Sequence, residues 1–306
     1  MKILIFGGSG FIGKNLDNFL SEEFDILVAD KEPKGKNNVI RVDISCQNQV
    51  RDIINDNDPE IIINLAARTD LKGKDLSEYE VNWKGPLNIH EAISKKEKPP
   101  LFIHFSSMLV CKMGVIPPSY NYYCPDTIYG NSKVKSEEVI LNKERNYPLI
   151  ILRPTTVWGR FSEKPYSTFI KIVSTIGWLE LSIFDAKRNF CKVDDLCRKI
   201  IEICKCKNLI DSKYTGIFYI SDNKRQSVND LAKSIGHETQ SKVIRIKTLD
   251  IVFNISLLLL SKFGDILSSL NIDFPLNSRR IRNMKTETDL PVDDLAKALL
   301  EIKEPL

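Results

Sequence analysis

Short apolar runs alternate with longer amphipathic stretches through the first half of the chain. The runs at 2–6, 26–29, 39–42, 61–65, 101–106 and 149–152 predict strands, most of them blocks of Ile, Leu, Val and Phe with few polar breaks. Apolar positions at helical spacing predict helices over 10–20, 47–57, 75–96 and 128–146. Unbroken apolar strands between helices imply a parallel sheet covered on both faces. After about Trp158 the pattern loosens. Loop formers dominate 159–167, 166–179 reads as helix, 184–193 as extended chain and 194–206 as helix. The run 216–221 predicts one more strand of the main sheet, and 228–306 is mostly helical. The expected fold class is α/β: a doubly wound parallel sheet with a smaller, mainly helical lobe. The expected division is 1–158, completed by about 190–221, for the sheet, and 159–189 with 222–306 for the lobe.

The first strand runs directly into glycines at Gly7, Gly10 and Gly13, spaced G-x-x-G-x-x-G. A parallel strand, a sharp turn and a helix starting at about Phe11 make a pyrophosphate site. The free N–H groups of the first helical turn and the positive end of its dipole favour an anion. That turn includes Phe11 and Ile12. Gly7 serves the turn, Gly10 the close approach of phosphate, and Gly13 the packing of helix on strand. The second strand ends in Asp30, seventeen residues beyond Gly13, where a carboxylate accepts hydrogen bonds from an adenosine ribose. The pattern is Rossmann-type. A carboxylate repels a 2′-phosphate, so NAD is expected over NADP; Lys31, Lys34 and Arg41 nearby soften that preference.

Bulk properties narrow the field. The chain has 306 residues, enough for a full core, and its 42% apolar and 27% charged content is ordinary for a soluble protein. A net charge of +4 without a basic stripe gives no sign of nucleic-acid binding. Seven scattered cysteines and a start that leads straight into a strand suggest reduced thiols and a cytoplasmic location. Cys204-x-Cys206 lacks a second pair, and with only His90, His104 and His237 no metal site is expected. The stretch 251–270 is the most apolar. It contains Asn254, Ser256, Lys262, Gly264 and Asp265, too many polar groups for a stable membrane span. A buried or lobe-packing helix pair is expected there, with a monotopic membrane contact as the alternative.

Tyr129 and Lys133, four residues apart, share one face of the helix that follows the fifth strand. An ammonium near a phenol is expected to lower its pKa from about 10. Such a phenol gives or takes the proton of a carbonyl or alcohol. A hydroxyl to hold the substrate oxygen is available from Ser106 or Ser107 at the fifth strand's end.

With those motifs in order, the chain resembles the extended short-chain dehydrogenases/reductases of the NAD-dependent epimerase/dehydratase kind, which act on nucleotide sugars. The likeness is strong to about residue 220. It rests on Gly7 to Gly13, Asp30, Asp43-Ile44, Asn64-Leu65-Ala66-Ala67, Asn82, Ser106-Ser107, Tyr129 with Lys133, Leu152-Arg153-Pro154, Trp158-Gly159 and Val193-Asp194-Asp195. The resemblance implies that Asp43 binds the adenine amino group, with Ile44 beside the ring. It implies that Asn64, Leu65, Ala66 and Ala67 line the cofactor's ribose and phosphates, and that Asn82, Ser106 and Pro154 contribute to the same site. It selects Ser107 as the catalytic hydroxyl and gives Lys133 a second role on the nicotinamide ribose. Thr156 and Arg188 fall where related enzymes contact the substrate's diphosphate, although a surface arginine is an equal reading of Arg188. Related enzymes form homodimers through the helix of Tyr129 and the one before it.

Departures narrow the chemistry. Sugar dehydratases of this kind carry an Asp-Glu pair after the catalytic hydroxyl residue; here the positions are Met108-Leu109, which exchange no protons. Cys111 replaces a common tyrosine, Thr156 replaces a common asparagine, and no acid precedes the Tyr129 motif in 112–125 until Asp126. The expected activity is therefore nucleotide-sugar epimerisation or 4-keto-sugar reduction, with Arg188, Arg279, Arg280 and Arg282 favouring an anionic substrate. Two alternatives stand beside it: reduction of a non-sugar, steroid- or flavonoid-like ketone, and a non-catalytic NAD(P)-sensing protein.

Overall fold

A computed structural model describes residues 1–33, 39–163, 166–222, 224–245, 247–269 and 277–303. Lys34 lies outside them. The first half alternates as expected: β1 (Lys2–Phe6), α1 (Phe11–Leu20), β2 (Asp25–Asp30), β3 (Val39–Arg41), α2 (Gln47–Asn57), β4 (Ile61–Asn64), α3 (Val81–Ile93), β5 (Leu101–Phe105), α4 (Ile128–Leu141) and β6 (Leu149–Pro154). There follow β7 (Thr156–Trp158), α5 (Tyr166–Thr175), β8 (Trp178–Glu180), β9 (Arg188–Lys192), α6 (Val193–Lys205), α7 (Lys207–Ile210), β10 (Thr215–Ile220), β11 (Arg225–Gln226) and α8 (Val228–Thr239). The last elements are β12 (Val243–Arg245), α9 (Lys247–Ser269), α10 (Ser278–Lys285) and α11 (Asp294–Lys303).

The seven strands β10-β6-β5-β4-β1-β2-β3 form one parallel sheet. Two buried clusters sandwich it. Ile3, Ile5, Ile61 and Ile63 face Leu16 and Leu20 of α1 and Leu196 and Ile200 of α6. Leu4, Phe6, Ile62 and Phe102 face Val50 and Ile54 of α2, Ile89 and Ile93 of α3, and Ile140 of α4. Both faces are covered, which is why β4 reads as unbroken isoleucine before Asn64. The chain leaves β1 towards β2 and β3, then returns to β4 on β1's other side. That reversal opens a crevice at the carboxyl ends of β1 and β4, where ligands of such sheets bind.

The remaining strands form a three-stranded sheet, β11-β9-β7, and a pair, β12-β8. Their core is Trp158, Val173, Phe190, Leu231, Ala232 and Ile235. Helix α11 lies within the stretch expected in the lobe, but Leu295 and Leu299 join the main core and the helix packs on β10.

Three local expectations need correction. The stretch 75–96 is not one helix: a 3₁₀ turn at Ser77–Tyr79 precedes α3. Trp178 and Leu179 are strand, because Gly177 at φ 101° ends α5 and turns the chain against β12. The apolar stretch 251–270 lies largely in the single helix α9, and several of its large side chains are exposed rather than buried. Among the described residues no helix is long and apolar enough to cross a membrane.

Candidate active site

The turn after β1 is built around close backbone contact. Gly7 has φ 80°, and a Cβ there would lie 2.6 Å from the amide nitrogen of Ala66. The Gly7 N–H donates to the carbonyl of Ala29 at 2.8 Å, which ties the turn to β2. Gly13 packs so tightly that a Cβ would stand 2.4 Å from the Cα of Gly8. Gly10 caps α1 without any side-chain acceptor, so the N–H groups around Phe11 and Ile12 face the crevice without a side-chain cap. Asp30 accepts the N–H of Ser9 and that of Glu32, each at 3.0 Å, one on each carboxylate oxygen. The turn is thereby fixed with Asp30 at its lip. Gly7→Ala is expected to strain φ and push the turn off Ala66, lowering dinucleotide affinity by two orders of magnitude or roughly 3 kcal/mol. Calorimetric titration with NAD checks it.

The end of β4 is fixed by buried amides. Asn64 accepts the N–H of Ala66 at 3.1 Å and meets His104 Nδ1 at 3.3 Å. This sets the backbone of Leu65, Ala66 and Ala67 opposite Gly7. Asn82 holds the loop that follows. It accepts the N–H of Arg68 at 2.8 Å, donates to the Arg68 carbonyl at 3.0 Å, and donates to Ser132 Oγ at 2.8 Å. Its side chain is a clamp between that loop and α4. Asp43 pairs with Lys31 at 2.8 Å and accepts the Ser45 hydroxyl at 2.6 Å. Burial raises its pKa, but those hydrogen bonds outweigh it and hold the carboxyl at about 2. Ile44, beside it, is buried against Gly85 of α3.

A buried hydroxyl, phenol and ammonium meet where β5 joins α4. Thr127 caps α4 by accepting the Gly130 N–H, which starts the helix one residue before Tyr129. Tyr129 is buried, and the Ser107 hydroxyl lies close enough to its phenol to pull the phenol's pKa down. Ser107 is oriented by accepting the Leu109 N–H at 3.1 Å. Lys133 is buried, donates to the Phe105 carbonyl at 2.8 Å, and has its Nζ 6.0 Å from the Tyr129 ring centre. So the structure brings Ser107, Tyr129 and Lys133 together. It corrects the expected direction of the phenol's shift. Burial pushes Tyr129 up to about 12 despite the opposing effect of the nearby Ser107 hydroxyl. Burial lowers Lys133 to about 8, with Glu137 opposing. Ser106 Oγ is buried with no hydrogen-bond partner among the described residues.

Beneath this group lies a pair that sequence reading did not single out. Arg153 of β6 and Glu137 of α4 are both fully buried. Arg153 Nη2 meets Glu137 Oε2 at 2.6 Å and Nε meets Oε1 at 2.9 Å, a bidentate contact. Arg153 also donates to the Tyr120 carbonyl at 2.8 Å, and Tyr123 donates its hydroxyl to Glu137 at 2.9 Å. Glu137 stands one helical turn beyond Lys133. The two residues are sixteen positions apart and sit on two different elements. Only the Arg153 motif itself was a signal.

The lobe supplies a second cluster across from the sheet's edge. Thr156 of β7 and Arg188 of β9 both lie close enough to Tyr166, at the start of α5, to act on its phenol's pKa. Burial raises the Tyr166 phenol and lowers Arg188. Arg188 Nη1 donates to the Asn283 carbonyl at 3.4 Å, while its Nε is buried without a partner among the described residues. Arg188 is thus partly buried rather than a solvated surface arginine. Tyr166 is a member of this cluster that the sequence did not flag. Pro154 closes β6 beside Ile220, and the adjacent Thr155 Oγ1 is buried and unpaired among the described residues. Arg282 is exposed, and the side chains of Arg279 and Arg280 lie outside the description.

A model of the NAD-dependent epimerase/dehydratase family matches residues 3–213. The chain belongs to that family. Family members similar to it include the GDP-6-deoxy-D-talose 4-dehydrogenase of Aggregatibacter actinomycetemcomitans, 30% identical over 64% of this chain and 68% of that protein. The UDP-glucose 4-epimerase of Vibrio cholerae is 26% identical over 76% of this chain and 74% of its own length. The solved structure of MoeE5 in complex with UDP-glucuronic acid and NAD superposes with a TM-score of 0.69, covering 98% of this chain and 92% of that one at 17% identity.

The family is NAD-dependent, and the residues here fit that cofactor. The Gly7–Ala66 contact holds the turn tight against the end of β4, and beside it a Cβ at Gly10 would meet only the Gly7 carbonyl, at 3.3 Å, so the turn offers bare backbone to a pyrophosphate. The start of α1 offers N–H groups without a side-chain cap, and Asp30 keeps a lone pair on each oxygen for ribose hydroxyls. Ser106 contributes an unpaired buried hydroxyl further along the crevice.

Proposed function

We propose that this protein is an NAD-dependent nucleotide-sugar epimerase or 4-keto-sugar reductase in which Tyr129 moves the proton. The observation that carries this reading is the buried Ser107–Tyr129–Lys133 group at the mouth of the dinucleotide crevice. NAD, when bound, supplies or takes the hydride. Tyr129 is protonated at rest, so it meets a keto oxygen as a general acid and accepts the proton back in the reverse direction. Ser107, held by the Leu109 N–H, positions that oxygen against the phenol. Lys133 adds a fixed positive charge that favours oxyanion character at the phenol. Met108, buried, and Leu109 carry no titratable group, which argues against water elimination.

Lys133 sets a pH limit. Its ammonium is the competent form, and its pKa in the fold is about 8. The charge is present below that pH and lost above it. The rate is therefore expected to fall by about tenfold per pH unit above pH ~8. Lys133→Arg, which keeps its charge, removes that limb from the pH profile.

Thr156, Tyr166 and Arg188 form the reading's substrate cluster, with Arg188 as the partner of an anionic diphosphate. Arg188→Leu is expected to raise KM for a nucleotide sugar on the order of tenfold or more with kcat little changed, a loss of about 1.5–3 kcal/mol. Steady-state kinetics checks it. The alternative of a non-sugar ketone reductase rested on the apolar 251–270 stretch, and among the described residues of α9 Val252, Phe253, Leu259, Leu260, Phe263 and Ile266 are exposed. A homodimer through α3 and α4 in the cytoplasm belongs to the same reading; light scattering tests the assembly. The activity is tested by incubating the protein with NAD or NADH and a panel of UDP-, GDP- and dTDP-sugars and their 4-keto forms. Chromatography should resolve an epimer or a reduced sugar from at least one. No conversion of any member by NAD-loaded protein overturns the reading.

A further inference from the structure

Helix α9 presents an apolar face to the outside. Val252 and Leu259 are 62% and 68% exposed, and Phe253 and Leu260 are 45% and 40% exposed. Each pair is seven residues apart and lines up along the helix, and the two rows lie about 100° apart with exposed Phe263 between them, which makes one broad apolar face. The inward side carries Leu257, Ser261 and Gly264, and Leu257 packs against Leu181 and Ile183. The outward apolar residues are therefore not the price of a missing inward face. Large exposed apolar side chains in two adjoining rows on a surface helix form a patch that calls for an occupant.

Charge indicates what that occupant is. Helix α10 packs against α9 and contains Arg279, Arg280, Arg282 and Lys285 but no acid in eight residues. Ile281 and Met284 pack inward with Leu257, while Arg282 and Lys285 are exposed. The acid nearest this junction, Asp265 of α9, is engaged: it accepts the Ser278 N–H at 3.0 Å and the Ser278 hydroxyl. That capping bond fixes the basic helix beside the apolar one. Lys262 adds another exposed cation on α9. An apolar helical face beside a dense cationic helix matches an anionic bilayer surface, acyl region under the first and headgroups under the second. A second copy of the chain would instead bring like charges together.

We propose that α9 and α10 dock this protein on anionic phospholipid membranes, lying on the surface without crossing it. Arg188 donates to the Asn283 carbonyl of α10, so the docked pair is joined directly to the lobe cluster. The inference does not depend on which substrate the enzyme uses.

The test is co-sedimentation of the full-length protein with vesicles. Binding is expected to equimolar phosphatidylcholine and phosphatidylglycerol, to be negligible with phosphatidylcholine alone, and to be reversed by salt. Val252→Ser with Leu259→Ser should weaken it on the order of tenfold or more. Arg282→Gln with Lys285→Gln should weaken it on the order of twentyfold, about fivefold per cation. Circular dichroism establishes that the variants fold. The salt and lipid dependence of the unaltered protein decides the matter if the apolar variant does not. Absence of binding to the anionic vesicles, equal binding to neutral ones, or binding indifferent to both variants overturns the proposal. So does loss of a dimer in the Val252/Leu259 variant without any vesicle binding, which would make a second copy the occupant.

Discussion

Tyr129→Phe is expected to reduce turnover by three to four orders of magnitude, while NAD still binds. The phenol hydroxyl is the group beside Ser107 that can deliver a proton to a keto oxygen, and general acid catalysis of this sort contributes about 10²–10⁴-fold. The additional loss comes from an oxygen left without its positioned donor. The ring itself stays, still packed against Tyr79 at 6.2 Å between centres and against Trp83, so the fold is unaffected. Stopped-flow or steady-state rates with the active nucleotide sugar give the loss. Calorimetric NAD binding and the melting temperature show that nothing else moved. A variant with near-normal turnover would remove Tyr129 from the chemistry.

The largest effect on stability is expected from Glu137→Gln. The change leaves the Arg153 guanidinium buried with its charge unpaired, since the Tyr120 carbonyl is a neutral partner. Breaking one side of such a pair costs about 3–5 kcal/mol. For a chain of this size that is a fall in melting temperature on the order of ten degrees. Replacing both partners, Glu137→Leu with Arg153→Met, should recover most of the loss, because no charge is then stranded. The cost also reaches the site. Glu137 supports the charge of Lys133, so the Lys133-controlled limb of the pH profile should move to lower pH in Glu137→Gln. A purely structural role would lower the melting temperature and leave that limb in place.

The sheet was legible because its signals are local. Buried parallel strands are nearly pure aliphatic runs, and Gly7, Gly10 and Gly13 mark the turn by the absence of side chains. Tyr129 and Lys133 announce themselves by helical spacing. What the sequence hid depends on partners far apart in the chain. Glu137 is an unremarkable glutamate in a polar helix until Arg153 meets it from β6. Tyr166 stands in a loosely patterned stretch, and only the pairing of β7 with β9 brings Thr156 near Arg188. The phenol's shift was misjudged in direction because burial, which spacing does not report, dominates it, and only the Ser107 hydroxyl opposes that rise. The stretch 251–270 was misjudged in the same way. Its composition resembles a core helix, and only the fold shows that Val252, Phe253, Leu259, Leu260, Phe263 and Ile266 are exposed.

Isotope transfer shows directly whether a ring carbon of a nucleotide sugar exchanges hydride with NAD beside Tyr129. The NAD-loaded protein is incubated with nucleotide sugars carrying deuterium at C4, and the nicotinamide and sugar are analysed by mass spectrometry. The expected result is deuterium on the nicotinamide, or an epimer that has kept its label, for at least one sugar and not in Tyr129→Phe. A protein that holds NAD and transfers no label from any of them, nor from labelled NADH to their 4-keto forms, would contradict it.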